Sequence, residues 1–236
     1  MRFPRSAAVA LALVVAACGA SNRDVIATYK PKMDELRVKL VAAAHNLPTL
    51  GTLQTAAVAP ADPVPVFDGH NLPAANTAFL PVERIYEGSE PGYDLIVSSH
   101  LGYTLAWTGP HNPMAESALD ATGTDLSTQF DAALATTYVV LYRTVAYEKP
   151  VAVDGTSFDG GTLDLEAGLY RIDTGAPVAT CRIQASVAEK VSYTHKEGDD
   201  PRAALESFAD STLRDDALAK LSACFKDNAK AEFKLD

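Results

Sequence analysis

The run Thr137-Tyr-Val-Val-Leu-Tyr-Arg-Thr-Val-Ala-Tyr147 constrains the fold more than any other stretch of the chain. β-Branched and aromatic side chains dominate it, and these fit a pleated, half-buried surface better than a helix, so it predicts a strand. Turn signals follow at Asp154-Gly155 and Asp159-Gly160-Gly161, and two further strands are expected from Thr162 to Ile172 and from Val178 to Tyr193. The link between those two, Asp173-Thr-Gly-Ala176, contains Gly175, which supplies the positive φ of a tight hairpin. The three segments together predict an antiparallel meander.

A sheet must bury a face against another layer. Thr124 to Ala135 reads as a helix behind an Asp or Thr cap, with Leu126, Phe130, Ala133 and Leu134 on one side. Asp200 caps a second helix with Pro201 at its first position, running toward Phe225 and as far as Phe233. Nearer the N-terminus, Val25, Ile26, Tyr29, Met33, Leu36, Leu40, Val41 and Ala44 recur three and four apart, which predicts an amphipathic helix over 22–46. Pro31 marks either its first turn or a kink. This apolar stripe is expected to dock on the protein's own core; the alternatives are a partner helix and a membrane surface.

Between Leu47 and Pro81 there are six prolines and only two charged residues, Asp62 and Asp68. That stretch reads as an irregular arm laid over the domain. Short pieces follow at Val82–Tyr86, Tyr93–Trp107 and Met114–Leu119; the second reads as a helix, with a strand as the alternative that Gly102 and the aromatic ends suit, and the lone Trp107 as a core or edge aromatic. The fold class is therefore α+β: an antiparallel sheet of three strands or slightly more with helices packed on it, preceded by an N-terminal helix and a proline-rich arm. The expected division is 1–17 as a leader, 18–46 as anchor and helix, 47–81 as arm and 82–236 as the α+β domain.

The leader rests on charge and length. Arg2 and Arg5 precede an uncharged run from Ser6 to Ala17, too short to span a bilayer and of the kind that heads an export signal. It ends in Val15-Ala16-Ala17-Cys18, which resembles the lipobox of bacterial lipoproteins, with Val where Leu is commoner. The resemblance implies a diacylglycerol on the Cys18 thiol, cleavage before that residue and acylation of the new amine. The alternatives are an ordinary signal peptide with an incidental cysteine and a buried N-terminal helix. Gly19 after Cys18, where Asp would retain a lipoprotein in the inner membrane of enteric bacteria, implies the outer membrane. Two or three acyl chains hold a domain firmly, at about 0.8 kcal/mol per buried CH₂.

With 20 Lys+Arg against 30 Asp+Glu the net charge is −10, and losing residues 1–17 removes two arginines and no acid, which deepens it to −12. That balance disfavours a nucleic-acid partner, because like charges repel. The remaining cysteines, Cys181 and Cys224, both read as core-facing, the first from period-two alternation over 179–187 and the second from helical spacing with Leu213, Ala217 and Leu221. In an oxidising compartment they are expected to form a disulfide; two buried free thiols are the alternative. Their spacing fits neither a metal site nor a CxxC motif.

No HExxH, G-x-S-x-G, P-loop, dinucleotide glycine fingerprint or EF-hand loop occurs, so no catalytic residue, metal site or cofactor is expected. The best candidates for chemistry are His70, His100 and His111, with Asp68 or Asp94 as carboxylate partners in a metal or hydrolytic site. Asp154, Asp159 and Asp173 read as turn residues, with calcium as a minor alternative. Asp164 and Glu166 alternate with Leu163 and Leu165 and read as the solvated face of a strand.

The helix, strand and Asp-Thr-Gly hairpin over about 125–194 resemble the sheet-and-helix domains of lipoproteins in curli-type secretion and flagellar assembly, which implies an oligomer. The whole chain resembles the uncharacterised lipoproteins that some bacteria encode in large numbers. The expected function is a non-catalytic, lipid-anchored envelope module that binds a protein or cell-wall partner or plays a structural role. The alternatives are an envelope hydrolase or metal enzyme using histidines of 70–111, and an oligomeric secretion accessory.

Overall fold

The computed structural model of the chain describes residues 19–68, 75–85, 93–95, 99–154, 156–187, 198 and 200–235. The expected leader over 1–17, Cys18, His70, Tyr86, Gly155 and positions 188–193 of the third expected strand lie outside the described residues.

Helix α1 (Asn22–His45) opens on a capping box in which Ser21 and Asp24 satisfy each other's backbone N–H groups. Pro31 sits inside the helix, beyond its first turn. After α1 come β1 (Ala56–Ala57), β2 (Val66–Asp68), β3 (Thr77–Pro81) and a 3₁₀ turn at Val82–Arg84. Helices α2 (His100–Thr108), α3 (Glu116–Leu119) and α4 (Leu126–Leu134) precede strand β4 (Tyr138–Glu148). A small hairpin of β5 (Val151–Ala152) and β6 (Phe158–Asp159) leads to β7 (Thr162–Arg171) and β8 (Pro177–Ser186), and α5 (Pro201–Ala229) and β9 (Glu232–Lys234) complete the order.

The α+β plan and the meander of β4, β7 and β8 agree with the sequence reading, but the sheet is larger and mixed, with strand order β1-β8-β7-β4-β3. The proline-rich arm is not irregular throughout. It supplies β1, antiparallel to β8 at one edge, and β3, parallel to β4 at the other. All five residues of β3 are buried, so no alternation marks it, and Pro81 falls at its end on an outer strand, where a missing donor is tolerated. The Asn76 side chain donates to the Val64 carbonyl and accepts from Val66 N–H, which holds the arm's two halves together.

Helices cover both faces of the sheet. On one, α5 packs Leu213, Ala217, Leu221 and Phe225 against Val140, Leu165, Leu169 and Cys181. Its buried positions recur every four residues from Leu205 to Ala229, so the stripe drifts about 40° per step and winds around the helix, as a twisted sheet requires. On the other, α1, α2 and α4 bring Leu36, Leu40, Leu101, Leu105 and Phe130 onto Val139, Leu141 and Tyr170. The α1 stripe thus docks on the protein's own core.

Several boundaries shift. Among the described residues of the Tyr93–Trp107 segment the helix starts at His100, and it runs on to Thr108. Helix α5 ends at Ala229 and is capped by Lys230, whose φ of 57° places it in the left-handed region, so Phe233 belongs to β9, paired with β2. Asp125 occupies the cap position of α4 without a side-chain capping bond. Cys181 and Cys224 form a disulfide joining β8 to α5 across a Cα–Cα distance of 6.2 Å.

Candidate functional site

The histidine reading gains no geometric support. His100 is the half-buried first residue of α2, and its carbonyl accepts from Thr104 Oγ1. His111 is exposed in the following loop, while His70 lies outside the described residues. The carboxylates offered to them are otherwise engaged: Asp68 pairs with Lys234 at 3.0 Å, and Asp94 with Arg84 and the buried Tyr142 hydroxyl. Among the described residues no group of three or more His, Cys, Asp or Glu is placed to hold a metal ion.

The turn readings of Asp154 and Asp173 hold, whereas Asp159 is the last residue of β6. Asp154 accepts from the N–H groups of Thr156 and Ser157 and from the Thr156 hydroxyl, and these bonds pull its carboxyl down to about 2. Asp159 accepts from Gly160 N–H, and Asp173 forks onto Arg171 through two bonds of 3.1–3.2 Å. Gly175 has a φ of 66° at the hairpin tip.

Asp164 and Glu166 require correction. They point away from α5, yet that side is not solvent: Glu166 is fully buried and the Asp164 side chain is 14% exposed. Residues 48–55 pass over this half of the sheet as a strap. Arg143, directly opposite Glu166 in the β4–β7 register, donates to Glu166 Oε2 through Nε at 2.9 Å and Nη2 at 2.6 Å. Leu53 N–H supplies Glu166 Oε1 at 2.9 Å, and Arg143 Nη2 also reaches the Pro48 carbonyl. A second pair, Arg182 and Asp164, repeats the pattern one strand over, with Arg182 donating to the Gly51 carbonyl. Glu166 is therefore held by a guanidinium and a backbone N–H, and Asp164 by the Arg182 guanidinium, which suits both carboxylates to hold the strap.

Beside this ladder lie two buried polar atoms without a hydrogen-bond partner among the described residues, Glu83 Oε2 and Tyr170 Oη. The Tyr170 ring lies flat over Gly168, where a Cβ would come within 2.5 Å of the ring, so the position demands glycine. Burial raises the Glu83 carboxyl above its ordinary value, against weaker opposition from its own N–H and from Arg143. A raised carboxyl binds its proton more tightly in the native state, so the protein loses stability as pH climbs above the unfolded value near 4.5. Glu83→Gln is expected to raise stability at pH 7 by about 1 kcal/mol, a gain that disappears below pH ~4.5. Urea titrations at the two pH values check this, and an equal effect at both refutes it.

The outer edge of β8 is closed as well. Beyond β1, Thr55 Oγ1 accepts from Arg182 N–H, Lys220 donates to the Gln184 carbonyl at 2.8 Å, and Asp216 accepts from Ser186 N–H at 3.1 Å. The Lys220–Asp216 pair, one turn apart on α5, thereby occupies backbone groups that would otherwise template a foreign strand. On the strap side, two shallow recesses of about 420 and 480 Å³ flank Gln184; Arg182 and Thr55 line one, Asp164 and Thr162 the other. The first sets Gln54, Thr55, Arg182 and Gln184 beside Leu53 and Ile183, and the second sets Thr162, Asp164, Gln184 and Ser186 beside Ala146, Leu163 and Ala185, so both mix hydrogen-bonding groups with apolar side chains.

Sequence reasoning missed the strap and its ion pairs. The available signal was the both-sided apolar character of Tyr138–Tyr142, which announces a strand covered on two faces and hence an inward-facing Arg143. No protein-family model, curated protein or solved structure matches the chain.

Proposed function

We propose that the protein is a lipid-anchored lipoprotein of the bacterial cell envelope, held at Cys18, in which the α+β domain acts as a non-catalytic binding or structural module. The observation that carries this reading is the residue sequence of the N-terminus: Arg2 and Arg5, an uncharged run of membrane-insertable residues too short to span, and Val15-Ala16-Ala17-Cys18 at its end. The Cys181–Cys224 disulfide supports it, since such bonds persist in oxidising compartments. Among the described residues no helix is long and apolar enough to cross a membrane. The guanidinium-paired carboxylates of the ladder favour a structural over a catalytic role, and the recess lined by Gln54, Thr55, Arg182 and Gln184 suits a hydrogen-bonding protein or cell-wall partner.

The test is expression of the full chain in a diderm host. The wild type is expected in the membrane fraction, with intact mass lacking residues 1–17 and carrying acyl chains, and Cys18→Ser is expected to release the mature domain or leave it unprocessed without lipid. Wild-type protein recovered soluble and without acyl mass refutes the reading.

A further inference from the structure

Only Gly19 and Ala20 separate Cys18 from Ser21, the cap of α1. Fully extended, the three peptide steps from Cys18 to Ser21 span at most roughly 11 Å. Ser21 is moreover no frayed end. It bridges to Thr122; Asn22, only 6% exposed, donates its backbone N–H to the Ala121 carbonyl at 2.9 Å and its side chain to the Ala118 carbonyl at 2.7 Å; and Thr124 Oγ1 bonds Asn22 Oδ1. Arg23 reaches both Glu116 and Asp120. The start of α1 is thus built into segment 116–124 and cannot peel away to lengthen a tether without breaking these contacts.

We propose, resting on the Cys18 anchor, that the folded domain is seated directly on the bilayer, with the surface formed by residues 19–24 and 116–125 against the lipid headgroups. The partner is a zwitterionic phospholipid surface. None of the large exposed apolar side chains among the described residues falls in this patch, so it rests on headgroups and does not insert. Its ionised residues are Arg23 against Asp24, Glu116, Asp120 and Asp125, a net charge of −3 that repels an anionic leaflet over about a Debye length, ~10 Å at 0.1 M salt.

The seat sets which end of the molecule faces outward. Helix α1 is about 36 Å long. Its far end is tied to the β7–β8 hairpin, where Asn46 Nδ2 donates to the Gly175 carbonyl at 2.9 Å. The hairpin is therefore presented away from the membrane while Ser117 is held beside it.

The experiment uses the full-length lipidated protein in phosphatidylcholine vesicles, with a donor dye on Ser117→Cys or Thr174→Cys, both exposed positions, and an acceptor on the lipid headgroups. Energy transfer from 117 is expected to exceed that from 174 by about twofold or more, given the ~36 Å helix between the two ends. Inserting about 20 Gly/Ser residues after Gly19, a coil of roughly 25 Å, is expected to abolish the difference. Adding phosphatidylglycerol is expected to lower transfer from 117 at low salt, with recovery as salt is raised. Equal transfer from the two sites in acylated protein overturns the seat alone, and increased transfer from 117 on anionic vesicles overturns the zwitterionic partner. Protein whose mass shows no acyl chains overturns the anchor and the seat together.

Discussion

Arg143→Met is expected to destabilise the protein by about 3–5 kcal/mol, because it leaves the fully buried Glu166 carboxyl without its counter-charge and with Leu53 N–H as its remaining donor. The magnitude follows from asymmetry. Taking the ion pair out of water is costly, and the attraction between its members offsets that cost only while both are present. Removing both charges in Arg143→Met/Glu166→Leu is therefore expected to be less damaging than the single change. Recovery is incomplete, since the buried Leu53 N–H loses its acceptor, a loss of about 1 kcal/mol or more, whereas the exposed Pro48 carbonyl exchanges its donor for water. Urea unfolding of the four proteins in the cycle checks this, and additive losses sink the argument. The local consequence is equally specific: amide exchange over 48–55 accelerates first, because Arg143 and Glu166 hold that strap to the sheet.

The strap also shows where the sequence is legible and where it is not. Strands β4, β7 and β8 are readable because branched residues, period-two alternation and Gly175 are local signals that act within a hairpin. Helices α1 and α5 are readable for the same reason, through caps and apolar spacing. Strand β3 is opaque: Thr77–Pro81 is short, buried on both faces and paired in parallel with a strand some 60 residues later, so nothing local distinguishes it from loop. Glu166 fails differently. Alternation places it correctly on the face opposite Leu163 and Leu165, but whether that face meets solvent depends on a distant segment crossing it. Composition cannot report such a crossing, and a charged residue in an alternating pattern defaults to an exposed reading until its cover is known. The disulfide lies between these cases, since inward-facing thiols are legible and their meeting is a tertiary fact.

Breaking that disulfide in Cys181→Ala/Cys224→Ala is expected to cost roughly 3–4 kcal/mol in the chain-entropy account of a loop of about 44 residues. For a domain of this size the loss corresponds to a fall in Tm of about 10 °C. Alanine is the appropriate replacement because Cys181 is fully buried among Val140, Leu165 and Leu221, where a serine hydroxyl would add its own penalty. The helix need not unfold when the bond is cut. Its stripe from Leu205 to Ala229 still covers the sheet, and the Lys220 and Asp216 contacts to the edge of β8 remain. The reduced and oxidised forms are therefore expected to share one fold, with hydrogen exchange faster in α5 than in β4, whose protection comes from strands on both sides. A loss below ~1 kcal/mol would mean that the unfolded chain already holds β8 and α5 together, so that closing the loop removes little entropy. A monomer that fails to fold when reduced would mean the opposite, that packing of α5 alone cannot meet the cost of ordering it and the domain depends on an oxidising compartment to form at all.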